Sequence, residues 1–207
     1  MAGVRKVTGV ETTTEGIPVQ GMLDPVILST MMRRAGLSRA AIRQDMSEIV
    51  RAAERHYLRV CPPLEDKHCP GVETALQKLE RRGILLGLVT GNLTRIGWRK
   101  LARAGLRRYF RFGAFGEMAA TRAGLARMAI REARSHGWIV RGTPVALIGD
   151  STSDVRAAHA NRIRSIAVAT GLTPTEDLQV LGPDYLLRDL RYLRLRMVED
   201  ERRTPVL

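Results

Sequence analysis

The sequence predicts an α/β fold, a doubly wound parallel sheet joined to a small helical unit, and three observations carry that prediction. Apolar runs of strand length recur at residues 84–89, 145–148, 166–168 and 185–187. Between them lie segments of ten or more residues, long enough for helices that return the chain to the same edge of a parallel sheet. Residues 22–60, in contrast, keep a helical period and contain no strand-like run.

The 207 residues suit one domain, or one domain carrying an inserted subdomain. With 44% hydrophobic and 27% charged residues, collagen-like, mucin-like and wholly disordered readings fall away. No stretch approaches the ~18 consecutive apolar residues of a membrane span, and residues 1–20 lack the apolar block of a secretory signal. Two cysteines, Cys61 and Cys69, cannot build a disulfide framework in a chain of this size. These features lead to the expectation of a cytoplasmic protein with no membrane partner. The net charge is +13, and thirty of the thirty-four basic residues are arginine, a balance that favours anionic partners. The arginines are scattered, however, and 4% aromatic content offers few rings on which a single strand of nucleic acid could stack. A solvated basic surface is the plainest reading, ahead of phosphorylated small molecules and of nucleic acid. Oligomeric state is not legible.

Taken in order, Val4, Val7 and Val10 recur at a helical spacing before Gly16-Ile17-Pro18 breaks the pattern. Asp24 reads as an N-cap with Pro25 at the first helical position, and Gly36 ends that helix. Ser38 caps the next, whose apolar residues Ile42, Met46, Ile49, Val50 and Leu58 run to about Val60. Prolines at 62, 63 and 70 mark a boundary. Beyond Gly71 a helix with Val72, Leu76 and Leu79 precedes the run from Ile84 to Val89, read as a strand buried on both faces. A helix from Thr94 to Ala104, a weaker strand within 110–115, a helix with Leu125, Met128 and Ala129, and the three remaining strands complete the pattern. The expected organisation is a lead-in segment over 1–21, a helical unit over 22–68, an α/β core over 69–198 and a tail over 199–207.

Two strand ends stand out because each apolar run stops in polar residues with glycine: Val89-Thr90-Gly91-Asn92 and Ile148-Gly149-Asp150-Ser151-Thr152-Ser153-Asp154. In such folds ligands bind at the carboxyl ends of strands. Asp150 at the strand tip, with Asp154 one helical turn on, offers the oxygen ligands that Mg²⁺ prefers. Thr90 and the backbone N–H groups of Gly91 and Asn92, next to a helix N-terminus, suit a phosphate. Either motif alone is explained as well by helix capping; in order, and 60 residues apart, they are more specific.

At this point the sequence resembles the haloacid dehalogenase-like (HAD) hydrolases, and among them the phosphatases similar to phosphoglycolate phosphatase. The resemblance runs from about Gly9 to Leu190. It rests on the two strand ends, on Lys100-Leu101 with Ala104-Gly105-Leu106, on Tyr109-Phe110, on Phe112-Gly113-Ala114-Phe115-Gly116 and on Arg122. It implies a Rossmann-like core with a small α-helical cap over 22–68 that closes on the substrate, a small phosphorylated metabolite. It further implies that Thr90, with backbone donors at Gly91 and Asn92, binds the transferring phosphoryl group. Asp150 would coordinate Mg²⁺, Asp154 would do so directly or through water, and Arg122 would take the place of the family's basic residue, often lysine. The loop from Gly16 to Asp24 is a candidate substrate contact, with Asp24 equally readable as a plain helix cap.

One departure is plain. The family's first motif, an apolar strand ending in Asp-x-Asp-Gly-Thr with the nucleophile as its first aspartate, is not in these 207 residues. Asp24 and Asp45 follow no buried strand and substitute poorly. The family places that strand centrally, between the strands ending at Thr90 and Asp150, so unpaired backbone groups and an apolar slot are expected there. Three explanations stay open: a start site upstream, which we favour, a decayed pseudoenzyme, or a strand supplied by a partner. In each case the chain as written is expected to be inactive, and a non-catalytic module holding Mg²⁺ and phosphate is the rival reading.

Overall fold

The structure, a computed structural model, describes residues 2–199. Three helices come first: α1 (Ala2–Thr8), α2 (Asp24–Arg34) and α3 (Arg39–Val60). Their apolar stripes meet in one cluster of Val4, Leu28, Met32, Ile42 and Ile49, as amphipathic helices with no sheet to cover must do. The Ser38 hydroxyl accepts the Ala41 N–H at 3.2 Å and so caps α3. The start of α2 differs from the sequence reading. Leu23 is its N-cap, and Asp24 is the first helical residue, its carboxylate turned to another helix.

The remaining elements alternate: α4 (Val72–Arg81), β1 (Gly87–Val89), α5 (Thr94–Arg103), β2 (Phe112–Ala114), α6 (Arg122–Ser135), β3 (Ala146–Gly149), α7 (Thr152–Asn161), β4 (Arg164–Val168), α8 (Thr175–Val180) and β5 (Tyr185–Leu187). Every strand pairing among the described residues is parallel. The fold class is therefore as expected, an α/β protein of Rossmann type. Of the expected tail, residues 200–207 lie outside the described residues.

The strands do not form one sheet. They divide into a pair, β1-β2, and a triplet, β3-β4-β5, with β1 and β3 sharing no ladder. In a parallel strand successive residues direct their backbone groups to opposite sides. Leu86 and Thr90 bond toward β2, and Val145 bonds toward β4. Gly87, Val89, Ala146 and Ile148 therefore present their N–H and C=O groups to the space between the two sheets. That space is a cavity of about 440 Å³ lined by Leu85, Leu86 and Val89 on one side, Ala146 and Ile148 on the other, and Ala126, Ala129 and Ala133 of α6 across one face.

This division corrects the expectation for residues 84–89. Only Gly87–Val89 pair as a strand, and the run is half-buried rather than covered on both faces. It has a neighbour on one side alone. The apolar walls of the 440 Å³ cavity lack contact partners among the described residues, so packing there is incomplete. The cavity's place between the strands leading to Thr90 and to Asp150 coincides with the place expected for the absent central strand.

Candidate active site

Both singled-out strand ends lie at one edge of the molecule, and Arg122 joins them. It is the first residue of α6, whose N-terminus is fixed by the Thr121 hydroxyl accepting the Gly124 N–H at 3.0 Å. From there the side chain, 13% exposed, places Nη1 3.5 Å from the Val89 carbonyl and Nε 3.3 Å from Asp154 Oδ1. The guanidinium thus bridges the end of β1 and the start of α7. Its Nε makes no well-aligned hydrogen bond, since the approach to Asp154 is an ion pair in distance only.

Asp150 and Asp154 sit on either side of the turn into α7. Asp154 closes a capping box: its Oδ2 accepts from the Ser151 hydroxyl at 2.7 Å and the Ser151 N–H at 3.3 Å, while Ser151 Oγ accepts the Asp154 N–H. With Oδ1 facing Arg122, both oxygens of Asp154 have partners. Asp150 reaches solvent but packs its carboxyl against Gly171, where any Cβ would collide with it. This desolvation, with the Asp154 charge beside it, raises the Asp150 pKa above the ordinary carboxylate value. As a donor set for Mg²⁺ the pair fits in part: Asp150 offers carboxylate oxygen directly, whereas Asp154 is engaged and reaches an ion only through water or by giving up the capping box.

Around Thr90 one of the three expected donors is engaged locally. The Asn92 N–H donates to Thr90 Oγ1 at 3.2 Å, leaving the Thr90 hydroxyl proton and the Gly91 amide as the donors without a partner in the described residues. The N-terminus of α5 is already closed by three carboxylates. Asp24 Oδ2 accepts the Leu93 N–H at 2.9 Å, Glu117 Oε1 accepts the Thr94 N–H at 2.9 Å, and Glu54 Oε1 accepts the Arg95 N–H at 3.0 Å. They come from α2, the segment after β2, and α3. Orphan donors at a helix start attract such groups through both hydrogen bonding and the helix dipole.

Asn92 is held on both sides, its Oδ1 accepting from Lys100 Nζ at 2.9 Å and its Nδ2 facing Asp24 Oδ1 at 3.3 Å. Burial raises the Asp24 pKa, against the lowering effect of the Leu93 N–H and the Asn92 amide. Lys100 lies 5.6 Å from the centre of the Tyr57 ring, and the Tyr57 hydroxyl, desolvated and close to Cys61, is pushed up to about 12. Asp24 therefore belongs to the site rather than to its own helix alone. The loop before it passes over both strand ends: a Cβ on Gly91 would strike the Met22 carbonyl and lie 3.2 Å from Leu23 Cα, and one on Gly21 would lie 3.1 Å from Ser153 Oγ. Only glycine allows the backbone at 91 to come so close.

Sequence reasoning did not single out Lys100, Glu54 or Glu117 as site residues. Lys100 had a signal, being one of only four lysines in an arginine-rich chain. Glu54 had none, because a carboxylate on an otherwise amphipathic helix does not announce that it is buried.

Comparison with known proteins follows the same lines. The sequence pattern of the haloacid dehalogenase-like hydrolases matches residues 28–168, more than half of the chain. The chain belongs to this family. It is 30% identical over 159 residues to phosphoglycolate phosphatase of Synechococcus elongatus, covering 76% of this chain and 69% of that protein. It is also 30% identical over 144 residues to phosphoglycolate phosphatase of Agrobacterium fabrum, covering 70% of this chain and 60% of that one. The chain thus spans roughly two thirds of the length of these relatives. Among solved structures it is similar to a β-phosphoglucomutase from Clostridium difficile, with a TM-score of 0.66 at 15% identity over 94% of this chain and 85% of the other. The family places the chain among HAD-like hydrolases, and its curated relatives are phosphatases. No helix of the described residues is long and apolar enough to cross a membrane.

Proposed function

We propose that these residues form the phosphoryl-holding and metal-holding half of an Mg²⁺-dependent phosphomonoester hydrolase that acts on a small phosphorylated metabolite. The observation that carries this is Arg122, whose guanidinium lies between the carbonyl that precedes Thr90 and the carboxylate that follows Asp150. A phosphoryl group held there has the Thr90 hydroxyl and the Gly91 amide as donors and Arg122 to neutralise its oxygens. Bound Mg²⁺ would supply further charge neutralisation of the phosphoryl oxygens, with Asp150 as its carboxylate ligand and Asp154 acting through water.

The geometry also defines what is missing. Covalent transfer needs a nucleophile in line with the phosphoryl group, and among the described residues no carboxylate lines the cavity between β1 and β3 except Glu199 at its far end. Asp24 is turned into the start of α5 and is engaged there. In this reading the nucleophile sits at the tip of a strand filling the cavity, and the 207 residues alone bind without turning over. The rival, a non-catalytic Mg²⁺- and phosphate-binding module, draws on the closed capping box at Asp154 and the capped N-terminus of α5.

The test uses the purified chain and a second version extended at its N-terminus by an apolar strand ending in Asp-x-Asp-Gly-Thr. The extended version is expected to hydrolyse p-nitrophenyl phosphate with Mg²⁺, to lose that activity with Asp150→Asn, and the 207-residue chain to show none. Turnover by the unextended chain would contradict the proposal. An extended chain that folds, binds Mg²⁺ and stays inert would favour the binding module.

A further inference from the structure

We propose that the chain carries a second anion site, at the opposite end of the β3-β4-β5 sheet, that takes a small molecule bearing two or more contiguous phosphate groups. A groove of about 780 Å³ opens where these strands begin, against Val145, Arg164 and Asp184, which precede or start β3, β4 and β5. Thr90 and Asp150 lie at the other ends of their strands, so the groove is not part of the site described above.

Arginine dominates it. Arg127, Arg131 and Arg134 follow one another at i, i+4 and i+7, one stripe of α6. Like charges at this spacing repel weakly, which a bound anion would offset. Arg162 and Arg164, from the end of α7 and the start of β4, line the same groove, as does His159. Among the described residues none of these five arginines has a carboxylate within ion-pair distance. Asp184 is, among the described residues, the one acidic residue of the lining, and its Oδ2 accepts the Ser165 N–H at 2.8 Å.

One of the five is held in place by the backbone, and another has an unusual backbone conformation of its own. Arg164 Nη1 donates to the Met197 and Glu199 carbonyls at 3.1 and 2.8 Å. Arg162 ends α7 in the left-handed conformation, φ 54°, and is the only residue other than glycine with positive φ among those described. Glycine or asparagine would adopt that backbone at less cost, so an arginine there is retained against local preference. Guanidinium groups gathered in one groove match the bidentate geometry of phosphate oxygens. The volume is that of a small-molecule site, and the lining holds no aromatic ring for a base to stack on, which selects a compact polyphosphate over a nucleic acid strand.

The probe is inorganic tripolyphosphate, titrated calorimetrically and by amide shifts at low salt without added metal. One equivalent is expected to bind, with shifts at Val145, Ile163 and Arg164. Arg131→Gln with Arg134→Gln should weaken binding about tenfold or more, whereas removing two exposed charges elsewhere, Arg39→Gln with Arg43→Gln, should change it less than about twofold. Thr90→Val should leave it unaltered, which separates this groove from the strand-tip site. Equal weakening by the two arginine pairs, loss of binding in Thr90→Val, the absence of binding, or tighter binding of a single-stranded RNA oligonucleotide to the same arginines would each overturn the proposal.

Discussion

Strand β4 and the two strands that face the cavity are built from the same kind of sequence and meet different fates. Ile166, Ala167 and Val168 of β4 have neighbours on both sides and are 1–3% exposed. Leu88 and Val89 of β1, and all of β3, come from equally apolar runs yet remain half-buried, because each strand has a partner on one side only. A strand apolar on both faces is written for the middle of a sheet. Two such strands facing each other across an apolar cavity are the edges of one interrupted sheet. Burial of the flanking residues is therefore set by what occupies the space between them, whereas burial of β4 is complete within the chain.

The sharpest way to break this contrast is truncation on each side of it. Ile166→Ala should cost about 2–5 kcal/mol, the range for a well-packed isoleucine, and Ile148→Ala less than half of that, both read by denaturant unfolding. Equal costs would mean that β3 is as well covered as β4. Next in size is Arg122→Met, expected to cost about 1–3 kcal/mol because it strips Asp154 of its charge partner and Val89 of the donor that meets its carbonyl; an unchanged midpoint would show that the guanidinium does not tie the two sheets together. Asp24→Ala should cost about 1–2 kcal/mol, as for loss of a helix cap, since the Leu93 N–H loses its acceptor.

Asp24 also gives a pH test with a definite sign. Its folded pKa lies above the ordinary 3.8, so in the window between those values the folded state holds the proton more tightly than the unfolded one. The wild type therefore loses stability relative to Asp24→Asn as pH rises through that window, and the difference is constant above it. A difference that is flat, or that moves the other way, would mean that hydrogen bonds rather than burial govern this carboxyl. The smallest effect is expected for Asp150→Asn, a slight gain in metal-free stability at neutral pH because it removes a desolvated charge beside Asp154, while abolishing any Mg²⁺-dependent rise in Tm.

Much of this was legible in the sequence because it is local. Strand ends, the Ser38 cap and the turn from Gly149 to Asp154 are each written within a few residues. The partners at the start of α5 were not, since Asp24, Glu54 and Glu117 reach it from distant parts of the chain and periodicity does not encode which helix end a carboxylate will meet. Residues 84–89 misled in the opposite sense: their composition reports the environment the strand is suited to, whereas among the described residues it pairs with β2 alone.

Hydrogen exchange of the 207-residue chain, read amide by amide, tests the interrupted sheet most directly. The amides of Ile166 and Ala167 in β4 should exchange near the rate of global unfolding, and those of Gly87, Val89, Ala146 and Ile148, which face the cavity, orders of magnitude faster. Adding the N-terminal strand should slow those four and leave β4 unaltered. Equal protection of all six without the added strand would contradict it, for β1 and β3 would then already be paired across the space between them.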